Sequence, residues 1–206
     1  MIRSATIANR AACVLLVLFG ALCTGCHSAG SPYAGQHETS RNPLEAQRLT
    51  LQAADLIDRQ SAKPDPAKLA QAEKLLSDAL TADLYHGPAH NDLGVVYLKL
   101  GRLYDAASEF EWARKLMPGH PDPRLNLALT LEHAGRIDEA LKTYASALEV
   151  YPGHIPTLQA MTRLQLRHRR TDEQTSGHLQ TIALEGNTPE WRDWAQRQMV
   201  VQSNQH

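Results

Sequence analysis

The chain has 206 residues, with 21 Lys and Arg against 22 Asp and Glu, a formal net charge of -1 and 43% hydrophobic residues. That balance suits one globular domain and lacks the basic excess that nucleic-acid binding uses, so no nucleic-acid partner is expected. All three cysteines, Cys13, Cys23 and Cys26, fall in the first 26 residues, which leaves the remainder without a disulfide scaffold or thiol chemistry.

Arg3 and Arg10 flank the start of an uncharged stretch, Ala11 to Leu22, rich in Val, Leu and Ala. It is shorter than the ~20 residues of a membrane span and has the form of a secretory signal. The stretch closes on Leu22-Cys23-Thr24-Gly25-Cys26. This resembles a bacterial lipobox, departing from it at Cys23, where an aliphatic residue is usual. The resemblance implies that 1–25 is a lipoprotein-type signal peptide and that Cys26 carries lipid; ordinary cleavage near Ala29 or Ala34 is the alternative. Gram-negative lipoproteins retained in the inner membrane usually have Asp after the modified Cys. His27 stands there, which implies an outer-membrane anchor facing the periplasm. Residues 26–41, with no aliphatic side chain larger than Ala after Cys26, read as a flexible tether of ~20 Å reach.

From residue 42 onward only helical patterns occur. Ala46, Leu49, Ala53, Leu56 and Ile57 form an apolar stripe within Pro43 to Gln60, and Ala72, Leu76 and Ala79 form another within Pro66 to Ala82. The stretch from Gly87 to His120 is then restated by Pro121 to His154, at a spacing of 34 residues. Leu93, Tyr97, Gly101, Ala106, Phe110, Ala113 and Pro118 recur as Leu127, Leu131, Gly135, Ala140, Tyr144, Ala147 and Pro152. A fixed period of that length marks stacked two-helix units, because one hairpin cannot bury its apolar face alone.

These residues resemble the tetratricopeptide repeat (TPR) pattern. The resemblance implies an all-α solenoid of helical hairpins, with about seven helices. Gly94 and Ala128, with Ala106 and Ala140, would let helices approach closely. Phe110 and Tyr144 would fill the space between units, and Gly101 and Gly135 would end first helices in a left-handed conformation. The solenoid is expected over 42–188: a divergent repeat 43–86, repeats 87–120 and 121–154, and a degenerate repeat 155–188. In the last, Gln165 and Gln174 replace the expected Tyr and Ala, and 189–206 forms a capping helix and tail. Asn42-Pro43, Asp65-Pro66, Asp122-Pro123 and Thr188-Pro189 read as helix starts, and Thr171 with Gln174 as a capping box. The expected assembly is three hairpins followed by a capping helix from Pro189.

Several residues invite chemical readings. His86, His120 and His154 recur at the repeat period, but packed helices stand ~8–10 Å apart while two nitrogens on one zinc lie within ~4 Å. Gly87-Pro88 separates His86 from His90, so no metal site is expected. Arg163, Arg167, His168, Arg169 and Arg170 serve either as a solvated helix end facing the negative dipole or as a contact for an anionic partner. Trp191 and Trp194 read as cap core or as a binding surface, and Trp112 as a partly exposed contact. No phosphate loop, GxSxG, HExxH or available nucleophilic Cys is present, so neither catalysis nor a cofactor is expected.

The TPR resemblance places the ligand groove on the first helix of each hairpin, at Asn91, Val95, Leu98 and Lys99 in one unit and Leu125, Leu129, Glu132 and His133 in the next. Four of these eight are aliphatic, which fits a hydrophobic side chain or an amphipathic helix of a protein partner. The acidic-tail clamp of some chaperone-binding TPRs is absent, since Val95 and Leu125 occupy its polar and basic positions. The expected function is an exported, membrane-anchored TPR protein that assembles an envelope complex through this groove. The alternative is a catalytic or non-catalytic subunit of an envelope enzyme.

Overall fold

The computed structural model describes residues 41–58 and 65–204. The readings of residues 1–25 as a signal, of Cys26 as a lipid site and of 26–41 as a tether lie outside these, except for Arg41, which is held by Asp83. The described residues are all-helical: α1 (Pro43–Asp58), α2 (Pro66–Ala82), α3 (Gly87–Lys99), α4 (Leu103–Leu116), α5 (Asp122–His133), α6 (Ile137–Val150), α7 (Ile155–Arg167), α8 (Thr175–Glu185) and α9 (Pro189–Ser203). Nine described helices replace the expected count of about seven, because 155–185, expected as a degenerate repeat, forms a complete hairpin of two helices.

Each helix packs on the next, and α1 also touches α3, α3 touches α5, and α5 touches α7. No comparable packing joins α2 to α4 or α4 to α6. Helices α1, α3, α5 and α7 therefore form a continuous inner layer while α2, α4 and α6 splay outward, which is how a stack of hairpins acquires curvature.

The stripes read from the sequence face inward. Ala46, Leu49, Ala53 and Ile57 of α1 are buried together with Ala72, Leu76 and Ala79 of α2, and Leu56 is half-buried. Ala106, Phe110 and Ala113, and Ala140, Tyr144 and Ala147, are wholly buried one and two periods later. Gly94 is there for space: a Cβ on it would lie 2.6 Å from Cε1 of Phe110. Arg41 secures the first hairpin with a two-point ion pair to Asp83 at 2.9 and 3.1 Å, which holds that buried carboxyl below its ordinary range.

Helix starts are partly different from their expected form. Asn42 accepts the N–H of Glu45, and Asp65 that of Ala67, as capping side chains do. Asp122 lies inside α5 and does not cap it, its carboxylate being turned to the histidines of two loops. Thr188 makes no capping bond, because its hydroxyl engages the Glu190 carboxylate. The Thr171–Gln174 capping box is also absent. Residues 168–174 form a longer loop than the other hairpins from Gly87 onward have, and Asp172 instead accepts the N–H groups of Gln174 and Thr175 at 3.0 Å each.

That loop shifts the register of α8 by one residue. Thr175, Leu179 and Ile182 are buried where the period would place 174, 178 and 181. Gln174 thus stays exposed, and Thr175 takes the small buried position. Gln165, 1% exposed, donates to Asp172 at 2.8 Å and lies 3.3 Å from the Thr175 hydroxyl. The loop supplies the polar partners that a buried amide requires.

The first helices of three units end identically. Gly101 donates to Leu98 and Arg102 to Tyr97; Gly135 donates to Glu132 and Arg136 to Leu131; Arg169 donates to Leu166 and Arg170 to Gln165. These are the paired bonds of a Schellman motif, which needs a left-handed residue. Gly101 and Gly135 meet that with φ of 75° and 74°, and Arg169, at the third repetition, is forced to φ 53°. The left-handed region costs a side-chain-bearing residue ~1–2 kcal/mol, partly offset by its lower entropy when unfolded. Arg169→Gly should therefore stabilise the fold by about 1 kcal/mol, read as a raised midpoint in urea denaturation at unchanged slope.

Candidate protein-binding groove

The inner layer is where the groove residues meet. Asn126 of α5 donates to the side-chain oxygen of Asn91 on α3 at 2.9 Å, and Asn91 donates to Asp92 at 3.2 Å. This bond identifies the face that α5 turns to α3. Leu125, about 100° away around the helix from Asn126, instead enters the core with Phe110, Leu127 and Tyr144 and is 9% exposed. It is not a groove residue. Val95, Leu98 and Leu129 are half-buried and pack against the same core, so the expected exposed strip is shallow: three aliphatics with one side in the protein. Lys99 is half-buried and His133 exposed at the far end of their helices.

Glu132 is also changed by its surroundings. Its carboxylate, with the side chain 11% exposed, accepts the Tyr144 hydroxyl at 3.1 Å, Arg163 at 3.2 Å and Arg167 at 3.4 Å. It joins α5, α6 and α7 and is a clasp, not a free anion in the groove. Burial, followed by the adjacent carboxylate, pushes the Tyr144 phenol far above its ordinary value, so the hydroxyl remains a donor. The arginine run is largely consumed by such pairing, since Arg170 also lies 3.6 Å from Asp138.

Trp112 belongs to the outer layer. It lines a cleft of about 490 Å³ between α4, α5 and α6, with Tyr104, Leu131 and Arg136 among its walls. Its ring stacks on His90, 5.7 Å between centroids and 14° between planes, and Lys115 lies 5.6 Å from it. His90 is wholly buried, with Nδ1 2.6 Å from Glu109 and Nε2 2.9 Å from the Leu84 carbonyl. A carbonyl can only accept, so Nε2 carries a proton, and Nδ1 and Glu109 share another. Nothing at sequence level pairs residues 90 and 109; only the packing of α3 on α4 brings them together.

The periodic histidines sit in loops. His154 lies 3.3 Å from Asp122 and 2.7 Å from the Thr157 hydroxyl, while His120 lies 3.6 Å from Asp122. Among the described residues no group of three or more His, Cys, Asp or Glu could hold a metal ion. No described helix is long and apolar enough to cross a membrane. Trp191 and Trp194 stand edge to face, 5.2 Å between centroids, and pack on Leu158, Leu179, Ile182 and Ala195.

Known proteins share this arrangement. The tetratricopeptide repeat family model matches residues 91–155. Tetratricopeptide repeat protein 8 of Caenorhabditis elegans is 31% identical over 106 residues, 48% of this chain and 20% of that protein; the chain thus spans a fifth of this relative's length. Among solved structures, a Thermobaculum terrenum O-GlcNAc transferase mutant superposes with a TM-score of 0.59 at 19% identity, covering 78% of this chain and 27% of the enzyme. The first TPR of Spaghetti (RPAP3), bound to an HSP90 peptide, superposes with a TM-score of 0.56 at 15% identity, covering 64% of this chain and 99% of its own. At these identities the structural likenesses establish the fold alone.

Burial lowers His86, His154 and His178 below the ordinary histidine value of 6.5, with Asp83, Asp122 and Asp172 respectively opposing it. The folded chain keeps these rings neutral while the unfolded chain protonates them near 6.5. Stability is therefore complete above that pH and declines as pH falls through it toward the lower folded values. Thermal denaturation from pH 7.5 to 5.5 should show a falling midpoint, and His154→Gln with His178→Gln should flatten the decline.

Proposed function

We propose that this chain, which belongs to the tetratricopeptide repeat family, is an exported, lipid-anchored adaptor that holds a protein partner in the inner groove of its solenoid within a bacterial cell envelope. The observation that carries the binding role is the row of half-buried aliphatics, Val95, Leu98 and Leu129, standing beside the Asn91–Asn126 pair on the continuous inner layer. Such a row offers limited apolar area with polar groups alongside it, which matches one face of an amphipathic helix or an extended segment with apolar anchors. The RPAP3 repeat, whose structure contains an HSP90 peptide, supports a peptide as the kind of ligand. The polar clamp positions are differently filled here, so the groove holds its partner by other contacts.

Export is supported by Arg3, Arg10 and the apolar stretch Ala11 to Leu22, and lipidation by Thr24-Gly25-Cys26. His27 after Cys26 favours the outer membrane by analogy with sorted lipoproteins. The enzyme-subunit reading draws on the superposition with an O-GlcNAc transferase. It is the weaker reading, because that likeness covers 27% of the enzyme chain and the sequence has no phosphate loop, GxSxG or HExxH.

Two experiments test this reading. Leu98→Gln with Leu129→Gln should lower partner capture from solubilised envelope at least tenfold, while helicity stays constant and the melting midpoint falls by several degrees, about 1–2 kcal/mol for two half-buried leucines. Full capture by the folded double variant would refute groove binding. Cys26→Ser should move the protein from the membrane to the soluble fraction, and mass spectrometry should find diacylglycerol on Cys26 only in the parent chain. An unmodified mature N-terminus would refute the anchor.

A further inference from the structure

The repeat period continues past the hairpins into α9, and with it the inner face changes chemistry. Pro189 lies 34 residues after Ile155, and Ala195, wholly buried, occupies the position of Leu93, Leu127 and Met161. By register, α9 is the first helix of a further unit, and its side chains meet those of α7 where Leu158 packs with Ala195 and where Arg163 shares a recess with Trp194 and Arg197. From unit to unit the position of Val95 recurs as Leu129, Arg163 and Arg197, and the position of Asp92 recurs as Asn126, Ala160 and Trp194. The groove is aliphatic in its middle and becomes cationic and aromatic at its C-terminal end.

The end has a shape to match. Arg163, Thr188, Glu190, Trp191, Trp194 and Arg197 line a recess of about 460 Å³. The two indoles meet edge to face and remain half-buried, so each presents part of a ring to the recess. Arg197 is exposed and forms no ion pair among the described residues. Arg163 is 37% exposed and shares the Glu132 carboxylate with Arg167, so two guanidinium groups divide one charge. The Nε of Arg163 is buried and lacks a hydrogen-bond acceptor among the described residues, so the exposed end of its guanidinium is the part that faces the recess. Glu190 is the only acid among the described lining residues; its carboxylate is engaged by the Thr188 hydroxyl and its own N–H at the start of α9.

We propose that this recess is a second binding site, for an acidic peptide segment in which a carboxylate lies next to an aliphatic or aromatic side chain. The carboxylate bridges Arg163 and Arg197, in the charge-assisted geometry that guanidinium groups favour, and the neighbouring apolar side chain rests on Trp191 and Trp194. The site deepens the groove reading by giving the partner a direction: apolar anchors toward α3 and α5, acidic end toward α9. It does not depend on Leu98 or Leu129, so the two readings fail separately.

The test uses the full chain and two short fluorescein-labelled peptides of equal apolar content, Glu-Leu-Glu-Leu-Phe-Glu-Leu-Glu and the same peptide with Lys for every Glu. Anisotropy titration should show the acidic peptide binding at least about tenfold more tightly than the basic one. Arg197→Glu should remove that preference, and Trp194→Phe should weaken binding of the acidic peptide severalfold. Arg197 is exposed, so its substitution leaves the fold intact, and circular dichroism verifies this. Equal binding of the two peptides, or an acidic preference unaltered by Arg197→Glu, would overturn the site. So would Arg197-dependent binding of phosphatidylglycerol vesicles with no binding of the acidic peptide. If Leu98→Gln with Leu129→Gln loses partner capture while Arg197→Glu retains it, the groove reading stands and this one falls.

Discussion

The structure depends on a ring driven between helices. Phe110 reaches the backbone of α3 at Gly94, so close that a single methyl group would collide with it. The ring fills the gap between one hairpin's first helix and its own second helix, and Leu76 and Tyr144 hold the matching positions one period earlier and later, all wholly buried. Because dense packing is not continuously deformable, these wedges set the angle at which successive hairpins stack. That angle brings the first helices into contact and keeps the second helices apart. The inner groove is a consequence of the wedges.

A change of one atom in the wedge reorganises the groove. Phe110 needs nothing beyond apolar neighbours, and Leu98 faces the same core. One period later the ring is Tyr144, whose hydroxyl would be costly to bury without a partner, and the position of Leu98 is now Glu132, which accepts it. A poorly exposed carboxylate in turn needs cations, and Arg163 and Arg167 of the following unit provide them. The polar character of the C-terminal half of the groove thus follows from satisfying one phenol, and one of these arginines, Arg163, also lines the tryptophan recess. His90 and Glu109 are a similar investment in the preceding unit, with both ring nitrogens engaged and Trp112 stacked against the imidazole.

The sequence by itself determined the period and what the period implies. The small residues, the wedges and the glycine turns of the two regular repeats could be assigned by position, since each has a steric duty that only a narrow set of residue types can meet. Ala72, Leu76 and Ala79 were legible upstream for the same reason. A degenerate repeat over 155–188 was legible as well, but tertiary structure alone decided the register of its second helix, because an insertion in the loop before α8 slid Thr175, Leu179 and Ile182 out of step with the period. It also decided the chemistry of the groove. Spacing along one helix places Leu125 close to Asn126, and only the approach of α3 determines which of the two faces the neighbour. Glu132 and His90 read as ordinary helical residues until Arg163 and Tyr144, or Glu109 and Leu84, are brought to them from other helices. A repeat pattern encodes the contacts it repeats; the polar contacts made once arise between residues far apart in the chain, and packing selects them.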